Sequence, residues 1–183
     1  KPNGALEVFN TMMIPERLGT AAMTIGAARP ALEVAGSYSM KRKAFGQPIN
    51  RFQGVSFQVA EAAMLLDACR SLVYTTSLSV DRGADPNTVR RLVSETKRFV
   101  TESCQKVARN AMQVMGGIGY TNVFPIERIV RDLGLASIWT GTNEVMSMII
   151  AHEWYAEHAR TGSVRNVEAD APEALAEGEK IFD

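Results

Sequence analysis

Residues 87–119 read NTVRRLVSETKRFVTESCQKVARNAMQVMGGIG. Val89, Val93, Thr96, Val100, Cys104, Val107, Ala111 and Val114 recur there at steps of three and four, the spacing that lines one face of an α-helix. Gly116-Gly117-Ile118-Gly119 stops the run, so a helix is expected over about 87–115. Upstream, Asp81-Arg82-Gly83-Ala84-Asp85-Pro86 is a turn, with glycine for a C-cap and proline beyond it. Before that turn Phe52, Val55, Val59, Ala62, Leu66, Cys69 and Val73 form a second stripe, on a helix of roughly 50–80. A first helix is expected from about 15 to 40, opened by Pro15, with a kink or a junction of two helices at Pro30. Downstream come a short helix at about 125–132 and a last one at about 142–160, apolar through Val145, Met146, Met148, Ile149 and Ile150. Alternating strand patterns are missing. The expectation is an all-α, up-and-down bundle of four to five helices in one domain over 1–160. The acidic segment 161–183 is expected to be a mobile tail or a loosely docked extra helix.

Composition narrows the classes. The chain has 183 residues, 46% of them apolar, which is enough for a core. Twenty Lys and Arg balance 20 Asp and Glu, which argues against a nucleic-acid binder driven by bulk charge. Two cysteines, Cys69 and Cys104, exclude a disulfide scaffold and a cysteine-rich zinc site, and their places on the apolar stripes mark them as buried thiols. His152 and His158 lie six apart, which is not a one-face metal spacing. No apolar run is long enough to cross a bilayer and no signal peptide opens the chain, so cytoplasm is the default compartment. The chain starts at Lys1 and is expected to be a piece of something longer.

Three stretches are not ordinary helix surface. Arg42-Lys43-Ala44-Phe45-Gly46-Gln47-Pro48, with Arg51-Phe52-Gln53 after it, is either a cationic helix end or a clamp for a phosphate-bearing ligand. Gln113-Val114-Met115-Gly116-Gly117-Ile118-Gly119-Tyr120 is either a helix stop or a backbone that another group can approach closely. Its spacing is not that of a nucleotide-phosphate loop. Trp139-Thr140-Gly141-Thr142-Asn143-Glu144 places Thr142 as an N-cap, with free N–H groups able to bind an anion or polarise a carbonyl.

In this order and at these separations, the three stretches resemble the C-terminal helical domain of the acyl-CoA dehydrogenase family, over roughly 8–158. The resemblance implies a flavoenzyme about twice as long, with two further domains ahead of this part. It implies FAD at a subunit interface. Arg42 is expected on its pyrophosphate, with Phe45, Phe52 and Gln53 beside it, and Gln113, Gly116 and Gly117 along the adenine and ribose. Thr142 and Glu144 are expected on the FAD of their own subunit. The implied reaction is α,β-dehydrogenation of an acyl-CoA thioester, in which a carboxylate takes the α-proton and a hydride leaves the β-carbon. Many members carry that base just before the Gly-Thr turn, where this chain has Thr140; a minority carry it on the first helix, at the position of Glu16. Glu16 is therefore the expected base, with Arg17, Thr140 and Gly141 on the substrate side. The competing interpretation makes Glu16 an acid favoured by the helix dipole.

The resemblance further implies a homodimer or homotetramer, an electron-transferring flavoprotein as partner, no metal, and a mitochondrial matrix location in a eukaryote. The isolated domain is expected to be inactive, to lose FAD and to self-associate. A second function class stays open: a helical assembly module without dehydrogenase chemistry. Met12 and Met13 are assigned to core or acyl lining and Met146 and Met148 to core, while Glu127, Arg128, Arg131 and Asp132 form an ion-pair cluster.

Overall fold

The structure, a computed structural model, describes residues 3–161. The segment expected as an acidic tail lies outside the described residues but for Thr161, which ends the last helix. The chain is a helical bundle: α1 (Ala5–Lys41), α2 (Gln53–Asp81), α3 (Pro86–Met115), a single turn α4 (Gly117–Tyr120), α5 (Ile126–Ala136) and α6 (Asn143–Thr161). Helix α3 is central and packs against each of the other five. Its stripe is the spine of the core, with Val93, Val100, Cys104, Val107 and Ala108 buried. Facing it, α1 presents Ala21, Ala28, Ala31 and Ala35, all fully buried. These small side chains let the two helix backbones come close together. Cys69 and Cys104 are free and buried, and the neighbouring Cys69 thiol together with burial pushes the Cys104 thiol far up, away from any nucleophilic form. Between α2 and α3, buried Thr76 and Thr96 satisfy each other at 2.7 Å.

The elements depart from the sequence expectation at three places. Helix α1 begins at Ala5, well ahead of Pro15, and is assigned as one helix through both Pro15 and Pro30. An interior proline costs about 3 kcal/mol, and here packing offsets it: Ala28 and Ala31, on either side of Pro30, are both buried. Helix α5 runs one turn beyond the expected stop, to Ala136, because Leu133 and Ala136 continue its buried face. A minimal hairpin, β1 (Lys43–Ala44) against β2 (Gln47–Pro48), forms in the stretch expected as a cationic helix end or a ligand clamp. Its two central residues, Phe45 (φ 52°) and Gly46 (φ 83°), both take the left-handed geometry of a tight hairpin turn.

Met13 and Met146 are in the core, whereas Met12 and Met148 are exposed. Of the last apolar run, Val145 and Met148 are exposed among the described residues, Ile149 and Ile150 are half-buried and Met146 is buried. The exposed Arg131 sits 3.8 Å from Glu127 and 4.0 Å from Asp132, as an ion-pair cluster should. His152 and His158 are exposed, and His158 stacks on Trp154. Among the described residues no group of His, Cys, Asp or Glu could hold a metal, and no helix is long and apolar enough to cross a membrane.

Candidate functional site

Two places gather the residues singled out by sequence. The first is the corner that leads into α6. Thr140 (φ 54°) and Gly141 (φ 93°) take left-handed backbone one after the other. A β-branched residue pays for that conformation, so the corner needs support from outside itself. Arg17 supplies part of it: buried on α1, it donates from Nε to the Thr140 carbonyl at 3.2 Å, across 123 positions of sequence. Lys97 supplies more. It is fully buried on α3 and donates from Nζ to the Gly141 carbonyl and to Asn143 Oδ1, each at 2.9 Å. Asn143 is tied in turn to Thr101 (3.1 Å) and Glu102 (3.3 Å) through its amide nitrogen, and its backbone N–H reaches Ser137 at 3.0 Å. The φ of 93° favours glycine at 141, and a Cβ there would in addition displace the flexible Met146 methyl, 2.9 Å away.

The electrostatics follow from burial. Desolvation, then the nearby Arg17 cation, lowers the Lys97 ammonium to about 8, against the opposing pull of Glu144 and Glu102. Burial, then Arg90, lowers Arg17 from the ordinary guanidinium value. Glu144 is held below the usual carboxylate range by backbone N–H and Thr142 hydrogen bonds, with Arg98 and Lys97 adding to the effect. Glu16 is exposed one position before Arg17, so the turn of α1 that carries it is anchored at the corner. Thr142 Oγ1 accepts from the Val145 N–H at 3.4 Å, a long version of the expected cap.

The second place is a groove of about 420 Å³ at the far end of α1. Arg42, Tyr38, Gln113, Gly116 and Gly117 line it. Gly116 turns the chain at φ 63°, and a Cβ added to Gly117 would meet nothing, so the floor of the groove stays open. Arg42 is exposed and makes no ion pair among the described residues. Phe45 at the tip of the neighbouring hairpin and Phe52 just before α2 meet edge to face with ring centres 6.1 Å apart, and Gln53 opens α2, exposed. The residues expected around FAD are thus split. Arg42, Gln113, Gly116 and Gly117 share one groove, while Thr142 and Glu144 sit at the corner. Residues 17 and 42 mark the two ends and are 25 positions apart on α1 and its cap, about 38 Å at 1.5 Å per residue.

Lys97 and Asn143 were not singled out by sequence. The signal was there: position 97 falls four after Val93 and three before Val100, so a lysine stands inside the apolar stripe.

Comparison with known proteins agrees with this architecture. The family model for the acyl-CoA dehydrogenase C-terminal domain matches residues 4–154. An acyl-CoA dehydrogenase of Bacillus subtilis is 38% identical over 135 residues, covering 74% of this chain and 35% of that protein. The caffeyl-CoA reductase–Etf complex subunit CarC of Acetobacterium woodii is 35% identical over 135 residues, with the same coverage. The butyryl-CoA dehydrogenase structure from Megasphaera elsdenii superposes with a TM-score of 0.79 at 30% identity, covering 85% of this chain and 40% of that one. This chain belongs to the acyl-CoA dehydrogenase family and corresponds to its C-terminal helical domain. The aligned part of this chain spans about a third of the length of those curated relatives.

Proposed function

We propose that this chain is the cofactor-clamping and assembly domain of a flavoenzyme that forms or reduces the α,β-bond of acyl-CoA thioesters, with Glu16 as the group that handles the α-proton. The observation that carries the proposal is the bond from Arg17 to the Thr140 carbonyl. It brings the turn of α1 that bears Glu16 to the Gly-Thr corner, where the position of the commoner family base is filled by a threonine that cannot serve.

The residues fit FAD. An Arg42 with no carboxylate partner among the described residues, beside Tyr38 and an open glycine floor, suits a pyrophosphate and a flat adenine. Bound FAD would supply the hydride acceptor. The rest is work for this chain. Glu16, as carboxylate, would take the α-proton. The corner at Thr140 and Gly141, held from behind, would keep its outward N–H groups ready for the thioester oxygen. The 38 Å between groove and corner is too far for one FAD to span, which supports a cofactor shared between subunits: the groove takes a neighbour's adenine end while Thr142 and Glu144 meet the chain's own. Exposed Met23 on α1 and Met148 and Tyr155 on α6 supply apolar surface for such an assembly. The name of the relative from A. woodii supports an electron-transferring flavoprotein as the redox partner and leaves the direction of reaction, oxidation or reduction, to be measured.

The test is the complete protein, purified and examined without oxygen. It should be yellow, and its flavin absorbance should bleach on adding an acyl-CoA or be restored by an enoyl-CoA. A colourless protein, or a flavin inert to both, overturns the proposal.

A further inference from the structure

We propose that Lys97 is a positioning residue for this site: buried behind the corner, it fixes the peptide plane between Gly141 and Thr142, next to the one that Arg17 holds, and so sets where flavin and thioester meet. The inference rests on the flavoenzyme reading and goes beyond it in naming the group that holds the corner.

A buried ammonium is expensive, several kcal/mol even after relaxation, and hydrophobic packing alone would put a leucine or methionine at position 97. Lys97 instead reaches past the Val93–Val100 stripe and spends two hydrogen bonds on the Gly141 carbonyl and Asn143 Oδ1. Thr140 and Gly141 are both left-handed, so the turn is not held by its own backbone preference. Its geometry comes from two inward carbonyls, Thr140 held by Arg17 and Gly141 held by Lys97. A peptide unit is planar and trans, so its N–H points opposite to its C=O. Pulling those two carbonyls inward therefore turns the N–H groups of Gly141 and Thr142 outward. Neither N–H has a backbone acceptor among the described residues, whereas Asn143 N–H, next in sequence, does.

The charges around Lys97 fit a fixed post. Arg17 faces it from α1, Glu144 from α6, and Glu102 from α3 itself. Arg98, one position on, is occupied by Glu102 and by the Ser147 hydroxyl of α6, which ties α3 to α6 beside the same corner. Thr101 completes the network by sharing hydrogen bonds with Asn143.

The test uses Lys97→Met, which keeps the length and the burial and removes the donors, and Asn143→Ala, which leaves the α3 stripe intact should the first variant not fold. Both are made in the complete protein. Two quantities are read: the rate and half-saturation of flavin bleaching by acyl-CoA, and hydrogen exchange of the peptide covering 139–146. The expected result is a limiting rate lowered roughly 10- to 100-fold, with half-saturation and FAD content within about twofold, and faster exchange confined to 139–146. General loss of packing would instead lower FAD content and raise exchange throughout α3. Wild-type bleaching and exchange in a folded variant overturn the role of Lys97. If the unaltered protein does not bleach at all, the flavoenzyme reading falls, and local exchange alone then decides whether Lys97 holds the corner.

Discussion

Position 140 carries a threonine in a backbone conformation that suits glycine, with its hydroxyl buried and without a partner among the described residues. Thr140→Gly should therefore raise the stability of the domain by about 1 kcal/mol in a urea titration; an unchanged or lower midpoint would show that the left-handed strain is not being paid. Glu16→Gln in the complete protein should slow flavin bleaching by roughly 10²- to 10⁴-fold with FAD content unchanged, and Thr140→Glu in that background should recover part of the loss, because the two positions approach one corner. Near-normal bleaching by the Gln variant would remove Glu16 from the mechanism. Lys97 makes a prediction of pH as well. Its folded value of about 8 lies below the ordinary 10.5, so between those pH values the unfolded chain holds a proton that the folded chain has released. Stability should then rise with pH across that window, and Lys97→Met should abolish the rise.

At the scale of elements, the stripes of α2 and α3 were legible because a helix that buries one face writes its period into the sequence. The start of α1 was not. Pro15 is a good first residue, but residues 5–14 continue the helix through it, and local rules cannot see the packing that tolerates an interior proline. The 43–48 hairpin was missed for a related reason: Phe45 at a left-handed position is not a signal that turn chemistry offers. Asp85 caps α3 by accepting from the Thr88 N–H, which is the main reason its carboxyl sits below the usual value. That contribution is complete above the ordinary aspartate value and fades as pH falls through the lowered folded one, so Asp85→Ala should lower the melting temperature at neutral pH and make little difference in strong acid. Gly117 offers the cleanest separation of fold from ligand. Its Cβ position is open, so Gly117→Ala should stabilise the chain by about 0.5–1 kcal/mol while weakening FAD retention in the complete protein. A variant that is more stable and equally yellow would take the groove out of cofactor binding.

At the scale of the molecule, α1 is a ruler. Its two ends carry the corner and the groove about 38 Å apart, and in the proposed function each is half of a site that a second subunit completes. The isolated chain should accordingly elute as an oligomer on sizing and hold no flavin, given exposed apolar residues such as Val8, Met23 and Met148; a monodisperse yellow monomer would contradict both the shared cofactor and the assembly role.

The order of turns, stripes and glycines in the sequence determined the helical class, the buried cysteines and the family, because each is written in local spacing and residue type. Tertiary structure alone decided that Arg17 meets Thr140, that Arg42 shares a groove with Gly117, and that a lysine inside an apolar stripe is the post behind the corner. Those pairings join residues between 44 and 123 positions apart, and no local preference encodes them: they exist only once the helices have packed and a buried donor must find an acceptor.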